Sequence, residues 1–146
     1  MDLLKRVADD YGSSKKGKEA LMMLANSYLM DKNYDEAEKY YSEFITSSDT
    51  DQVLLFNAYN ALGSIYEERG NYSKAAETYE VFLKKCNSSV FAPIMYLNAG
   101  KSFYLAGNTT AARKNLSHIT ETYKDSEENQ EAQFFLELLE AKESVN

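Results

Sequence analysis

One histidine, one cysteine and 23 Asp and Glu residues are the side chains of this 146-residue chain that could take part in chemistry. His118 and Cys86 lie 32 positions apart, and no serine sits in a nucleophile-elbow context. His118 reads either as a lone acid–base or as a histidine on a helix surface, one position off the packing residue Ile119; the second reading is preferred. Cys86 follows Lys84 and Lys85, whose charge would lower a thiol pKa slightly. A reactive thiol and an ordinary half-buried cysteine are both compatible with that, and the ordinary one is preferred. The carboxylates follow solvated helix faces. Asp35-Glu36 and Glu127-Glu128 fall near expected helix starts, where negative charge suits the macrodipole. There is no spaced calcium loop, no HExxH and no Gly-rich phosphate loop, and Asp49-Thr50-Asp51 is too short to supply a calcium ligand set. Asn-X-Ser/Thr triplets begin at Asn71, Asn87, Asn108 and Asn115; Asn71 and Asn108 are expected at turns and Asn115 inside a helix, so chance and turn chemistry account for all four without glycosylation. The expectation is a non-enzyme with no cofactor and no metal.

Composition narrows the partner class. The net charge is −7, and the lysines and arginines are scattered without a basic stripe. Nucleic acid and anionic lipid surfaces both require clustered cations, so neither is an expected partner. No run of about 18 apolar residues occurs, so direct membrane insertion of this segment is not expected. The start MDLLKRVADD lacks the apolar region of a signal peptide. A hydrophobic content of 44% with one proline and six glycines fits a folded, helix-rich chain.

The elements follow from periodicity. Over residues 56–89, Tyr59, Leu62, Gly63 and Tyr66 recur at one-face helical spacing, as do Ala75, Tyr79 and Phe82. Gly70-Asn71 is the strong break between them, since both residue types tolerate a left-handed backbone. Two helices and a turn therefore occupy about 34 residues. The same order returns twice. Residues 18–51 carry Leu21, Leu24, Ala25 and Tyr28, a turn at Asn33, then Tyr34, Ala37, Tyr41 and Phe44. Residues 93–126 carry Tyr96, Ala99, Gly100 and Phe103, a turn at Gly107-Asn108, then Ala112, Leu116 and Ile119. Gly63 is expected to be small because the second helix crosses there. Residues 52–55 exceed the repeat length, so either the preceding helix is extended or the next begins early.

These residues resemble the tetratricopeptide repeat family over nearly the whole chain, with Asn87 standing where the family usually has proline and Thr109 where it has tyrosine. The resemblance implies an all-α, right-handed solenoid of antiparallel helix pairs forming one domain over residues 1–146. Its parts are a half-repeat helix (2–14), three repeats (18–51, 56–89, 93–126) and a C-terminal capping helix (127–143), with residues 15–17 as a polar link. Leu4, Val7 and Tyr11 match Leu116, Ile119 and Tyr123, so the first helix looks like a second helix without its partner. It reads as a piece of a longer protein or as a natural cap, the former preferred.

Family members bind partners in a groove lined by first helices. Position by position, that groove holds Glu19, Met22, Asn26, Leu29 and Met30, then Asn57, Asn60, Ser64, Glu67 and Glu68, then Ile94, Leu97, Lys101, Tyr104 and Leu105. Asn26 matches one residue of the family's clamp for C-terminal carboxylates, but Met22, Ile94 and Asn98 replace its cations, so such tails are not expected here. A protein or peptide with apolar anchors and a basic centre facing Glu67 and Glu68 fits better. Met22, Leu29, Met30, Leu97 and Leu105 are expected either to meet a partner or to pack on an adjacent helix. The phenylalanines at 44 and 82 and the ending Tyr123-Lys124-Asp125-Ser126 are similar to bacterial cell-envelope members: the ancillary Sec-translocon subunit, the Tol-Pal coordinator and the outer-membrane assembly lipoprotein. The expectation is a non-catalytic interaction scaffold, with a self-association module through the terminal helices, giving a homodimer, as the alternative. A small-ligand site built from Asn26, Lys101 and Tyr104 ranks third. The compartment is left open: the periplasmic face of a membrane if an N-terminal anchor precedes the repeats, otherwise the cytoplasm.

Overall fold

The computed structural model describes residues 1–47, 51–86 and 90–145. Among these residues the regular structure is helical throughout. In order the helices are α1 (Asp2–Tyr11), α2 (Lys15–Met30), α3 (Tyr34–Thr46), α4 (Gln52–Glu68), α5 (Tyr72–Lys85), α6 (Ala92–Leu105), α7 (Thr109–Thr122) and α8 (Glu128–Ser144). Two compact units divide the chain, Met1–Ile65 and Tyr66–Asn146, and the boundary falls inside α4.

The same turn is built three times. Lys32, Gly70 and Gly107 take φ of 56°, 70° and 79°. The next residue, an asparagine each time, donates its N–H back to Tyr28, Tyr66 or Phe103, and the positive-φ residue donates to Leu29, Glu67 or Tyr104. These two bonds satisfy the carbonyls that a helix end leaves open, in the Schellman pattern. The asparagine then caps the following helix: Asn33, Asn71 and Asn108 accept through Oδ1 from the N–H of Glu36, Lys74 and Ala111. One dipeptide thus ends a helix, reverses the chain and starts the next helix. Asn71 and Asn108 owe their presence to this geometry, whereas Asn115 lies inside α7 and is buried. Asn87 and the Asp49-Thr50 pair lie outside the described residues.

In the first unit, α1 packs on α2 and α2 on α3. Leu21, Leu24 and Ala25 of α2 and Ala37, Tyr41 and Phe44 of α3 are buried, as the periodicity requires. Tyr28 is half-buried and stacks on Tyr40 with ring centroids 5.6 Å apart. Lys5 of α1 lies over the Tyr28 ring. Of the apolar residues expected to seat α1, Leu4 and Val7 are half-buried, Tyr11 is exposed, and Ala8 is the buried contact. Residues 15–17 are the first turn of α2 and not a link, because Ser14 accepts from the Gly17 N–H and caps the helix there. Asp51 accepts from the N–H groups of Val53 and Leu54, so α4 begins early, at Gln52.

In the second unit, α6 is the central element, packing on α5, α7 and α8. Ala75, Tyr79 and Phe82 of α5, Ala99, Gly100 and Phe103 of α6, and Ala112, Leu116 and Ile119 of α7 are all buried. Pro93 occupies the first turn of α6, where a missing N–H costs nothing. A Cβ on Gly100 would stand 2.6 Å from Leu116 Cγ, so the α6–α7 crossing admits only hydrogen there. Tyr96 is half-buried, packing against the edge of the core and meeting His118 of α7.

Candidate functional site

The surface expected to receive a partner begins on α2. Met22 is not on it: at 6% exposure it belongs to the core of the first unit. The residue beside it takes the place. Met23 is 56% exposed and Met30 84% exposed. Seven residues apart, they lie on one side of the helix with exposed Glu19 and Asn26 between and before them. Leu29 is half-buried at the edge of this stripe. Met23 was legible only through its i, i+7 relation to Met30, since adjacent methionines leave open which of them turns inward.

Asn26 has a structural partner. Its Oδ1 accepts from the Tyr41 hydroxyl at 2.6 Å, which joins α2 to α3. Burial pushes the Tyr41 pKa up to about 12, so the phenol stays a donor over the ordinary pH range. Farther along the first unit, Asn57 is exposed and Asn60 and Ser64 are half-buried on α4.

In the second unit, Glu68 is exposed, whereas Glu67 accepts from the Ser102 hydroxyl at 2.6 Å. Ser102 is fully buried on α6, so Glu67 answers a desolvated donor and holds the end of α4 against α6. The α6 face departs furthest from expectation. Leu97 is 5% exposed and packs in the core. Lys101 forms a 2.6 Å ion pair with Glu131 of α8, and Tyr104 meets Phe135 edge-to-face with centroids 5.5 Å apart. Lys142 of α8 lies over the Tyr104 ring. The last helix therefore covers the part of α6 assigned to a partner, leaving Ile94 half-buried and Leu105 exposed. For Leu97 of α6 and Met22 of α2, expected either to meet a partner or to pack on an adjacent helix, the second holds: both are buried because their neighbours close over them.

Asn26 belongs to the first unit and Lys101 and Tyr104 to the second. The Cys86 thiol is buried, and its pKa is raised by that burial against the opposing charge of Lys85, the reverse of the lowering expected from its basic neighbours. His118 is half-buried, its ring 4.4 Å from that of Tyr96 and 5.7 Å from that of Tyr123. Among the described residues no three His, Cys, Asp or Glu side chains converge to hold a metal, and no helix is long and apolar enough to cross a membrane.

Comparison with known proteins follows the same repeats. Residues 18–84 match one family pattern described as tetratricopeptide repeat, and residues 95–126 match a second with the same description. No curated protein matches the sequence. Among solved structures, the type III secretion translocator chaperone SycD of Yersinia enterocolitica is similar in fold, with a TM-score of 0.67 over 90% of this chain and 88% of that one at 18% identity. The matched patterns span the first two helix pairs and most of the third, and the three turns with their asparagine caps fall within them. This chain belongs to the tetratricopeptide repeat family.

Proposed function

We propose that the chain is a non-catalytic scaffold that binds a partner protein through an extended or helical segment with apolar anchors. The observation that carries this reading is the Met23–Met30 stripe on α2. Two exposed, unbranched thioether side chains flank Asn26, with Glu19 one turn before them, and methionine adapts its shape to varied apolar ligands. The second unit, taken by itself, exposes Leu105 and Glu68, the latter suited to a basic residue of a partner. Within the first unit Asn57 and Ser64 would supply hydrogen bonds and Leu29 flanking apolar contact; within the second, Ile94 would supply apolar contact. Glu67, Lys101 and Tyr104 would act mainly by shaping the surface, since each already holds a neighbouring helix. The ending Tyr123-Lys124-Asp125-Ser126 favours a setting in envelope assembly or secretion, and the secretion chaperone adds likeness of fold.

Selection from a displayed random peptide library tests the reading. Enriched peptides should carry two apolar anchors and a basic residue. A Met23→Glu/Met30→Glu variant with unchanged far-UV circular dichroism should lose them by at least about tenfold, as expected for charging an apolar contact. Retained affinity in that variant would refute the stripe. The self-association reading rests on exposed Leu3 of α1 and Phe134 of α8. Light scattering across a concentration series distinguishes it: a mass that doubles with concentration and returns to monomer in Leu3→Glu/Phe134→Glu would favour it.

A further inference from the structure

The second unit contains a cavity of about 220 Å³ on the side of α6 that Tyr96 and not Lys101 faces. It lies between α5 and α7, separate from the surface just described. Its volume is below the roughly 300–1,000 Å³ typical of clefts for drug-sized molecules, and suits one side chain or a small acid.

Three features of its wall bear on what it would take. Leu83 gives an apolar lining, and the Tyr96 and His118 rings, in contact at 4.4 Å, give a flat aromatic one. Asn115, 2% exposed, lines it as well, with its amide nitrogen committed to Glu80 Oε1 at 3.0 Å and to the Ala111 carbonyl at 3.0 Å. That bond fixes the Glu80 carboxylate against α7. Lys84 and Lys114 complete the lining, and both are exposed. Neither makes an ion pair among the described residues, although the chain carries 23 acidic residues against 16 basic ones. The nearby cations Lys101 and Arg113 are each paired with α8 carboxylates. The cavity thus holds two uncommitted ammonium groups against one carboxylate that is already bonded.

We propose that this cavity binds a carboxylate joined to a small aromatic or aliphatic body. The carboxylate meets Lys84 and Lys114 at the mouth, where a charge-assisted bond is strong, and the body lies against Leu83 and the Tyr96–His118 rings. An amine is disfavoured, since it meets two like charges for one Glu80. The acid comes either free or as the C-terminal residue of a peptide, and the two share this chemistry.

The test uses the whole chain, labelled with nitrogen-15, and follows amide shifts on addition of N-acetyl-phenylalanine, its C-terminal amide, phenethylamine and a pentapeptide ending in phenylalanine. The acid should move the Leu83, Asn115 and His118 signals, including the Asn115 side-chain amide, at millimolar concentration. The amide and amine should bind at least about tenfold more weakly, and a K84Q/K114Q variant should lose the acid to a similar extent. Both lysines are exposed, so the variant should keep its spectrum elsewhere. Equal entry of the pentapeptide would identify a chain terminus as the source, and its exclusion a free acid. Equal binding of acid and amide, tighter binding of the amine, or full affinity in K84Q/K114Q would each overturn the proposal.

Discussion

Tyr41 shows how one polar atom can matter in an apolar core. Its ring is buried and its hydroxyl reaches Asn26 across the α2–α3 contact. Replacement by phenylalanine keeps the packing but strands the Asn26 acceptor at a partly solvated site. The expected cost is about 1 kcal/mol in urea unfolding. The same residue sets an alkaline limit. Its folded pKa, about 12, lies above the ordinary 10.0, so the folded state keeps a proton that the unfolded state releases. That stability is complete below pH 10 and falls as pH rises from there toward 12, by on the order of 2 kcal/mol. Phenylalanine has no such titration, so the wild type's advantage of about 1 kcal/mol should fall through zero and reverse in sign over that interval. A pH-independent difference would show that the phenol is not held protonated. Lys32 makes the opposite case. It occupies, at φ 56°, the left-handed turn position that Gly70 and Gly107 hold in the other pairs. A side chain there is strained, and glycine relieves the strain at some cost in unfolded-chain entropy. Lys32→Gly should leave stability unchanged or raise it by up to about 1 kcal/mol, while Gly70→Ala and Gly107→Ala should each lower it by about 1 kcal/mol.

At the level of helices, the fit between neighbours is decided by close approach. A Cβ on Gly17 would stand 1.7 Å from the Tyr11 carbonyl oxygen and 2.2 Å from its carbon. Those are backbone atoms, so no rotamer change can make room, and Gly17→Ala must push α1 off α2. Gly100→Ala meets the Leu116 side chain instead, inside the core of the second unit. Each should cost about 1–3 kcal/mol, but differently distributed. Hydrogen exchange should rise in α1 alone for Gly17→Ala and throughout α6 and α7 for Gly100→Ala. Unchanged exchange in α1 would mean that its end is not pinned there. The helix pairs were legible in the sequence because such contacts constrain residue type: small at 25 and 100, aromatic at 41 and 79, asparagine at each turn. The start of α2 was hidden by its polar first turn, which reads as a link until Ser14 is seen capping it. The candidate surface was less legible than the fold. The family pattern places Met22 in the groove, but which of two adjacent methionines turns inward depends on the packing of α2, which buries Met22 and exposes Met23. Nor does the pattern reveal that α8 folds over Lys101 and Tyr104, since that depends on contacts between elements far apart in the chain.

For the molecule as a whole, a repeat architecture makes stability a sum of neighbour contacts, so the terminal helices, with neighbours on fewer sides, should open first. Burial grades the expected order. In α1 one residue, Ala8, is buried, and in α8 two, Ala132 and Leu139, whereas α2 buries six and α6 seven. Native-state hydrogen exchange should therefore find α1 least protected, α8 next, and α2 and α6 most protected, with α1 and α6 apart by at least about 2 kcal/mol of opening free energy. Salt separates the two ends. The α8 helix is held partly by the Lys101–Glu131 and Arg113–Glu143 pairs, which lie near the surface. Raising ionic strength from about 0.05 to 0.5 M shortens the screening length several-fold. It should speed exchange in α8 by a few-fold, as expected for exposed pairs, and leave α6 unchanged. An α8 indifferent to salt would show that Ala132, Leu139 and the Phe135–Tyr104 contact hold it unaided. Exchange at one common rate from α1 through α8 would show that the chain opens as a single cooperative body, and the graded order inferred from burial would then fail.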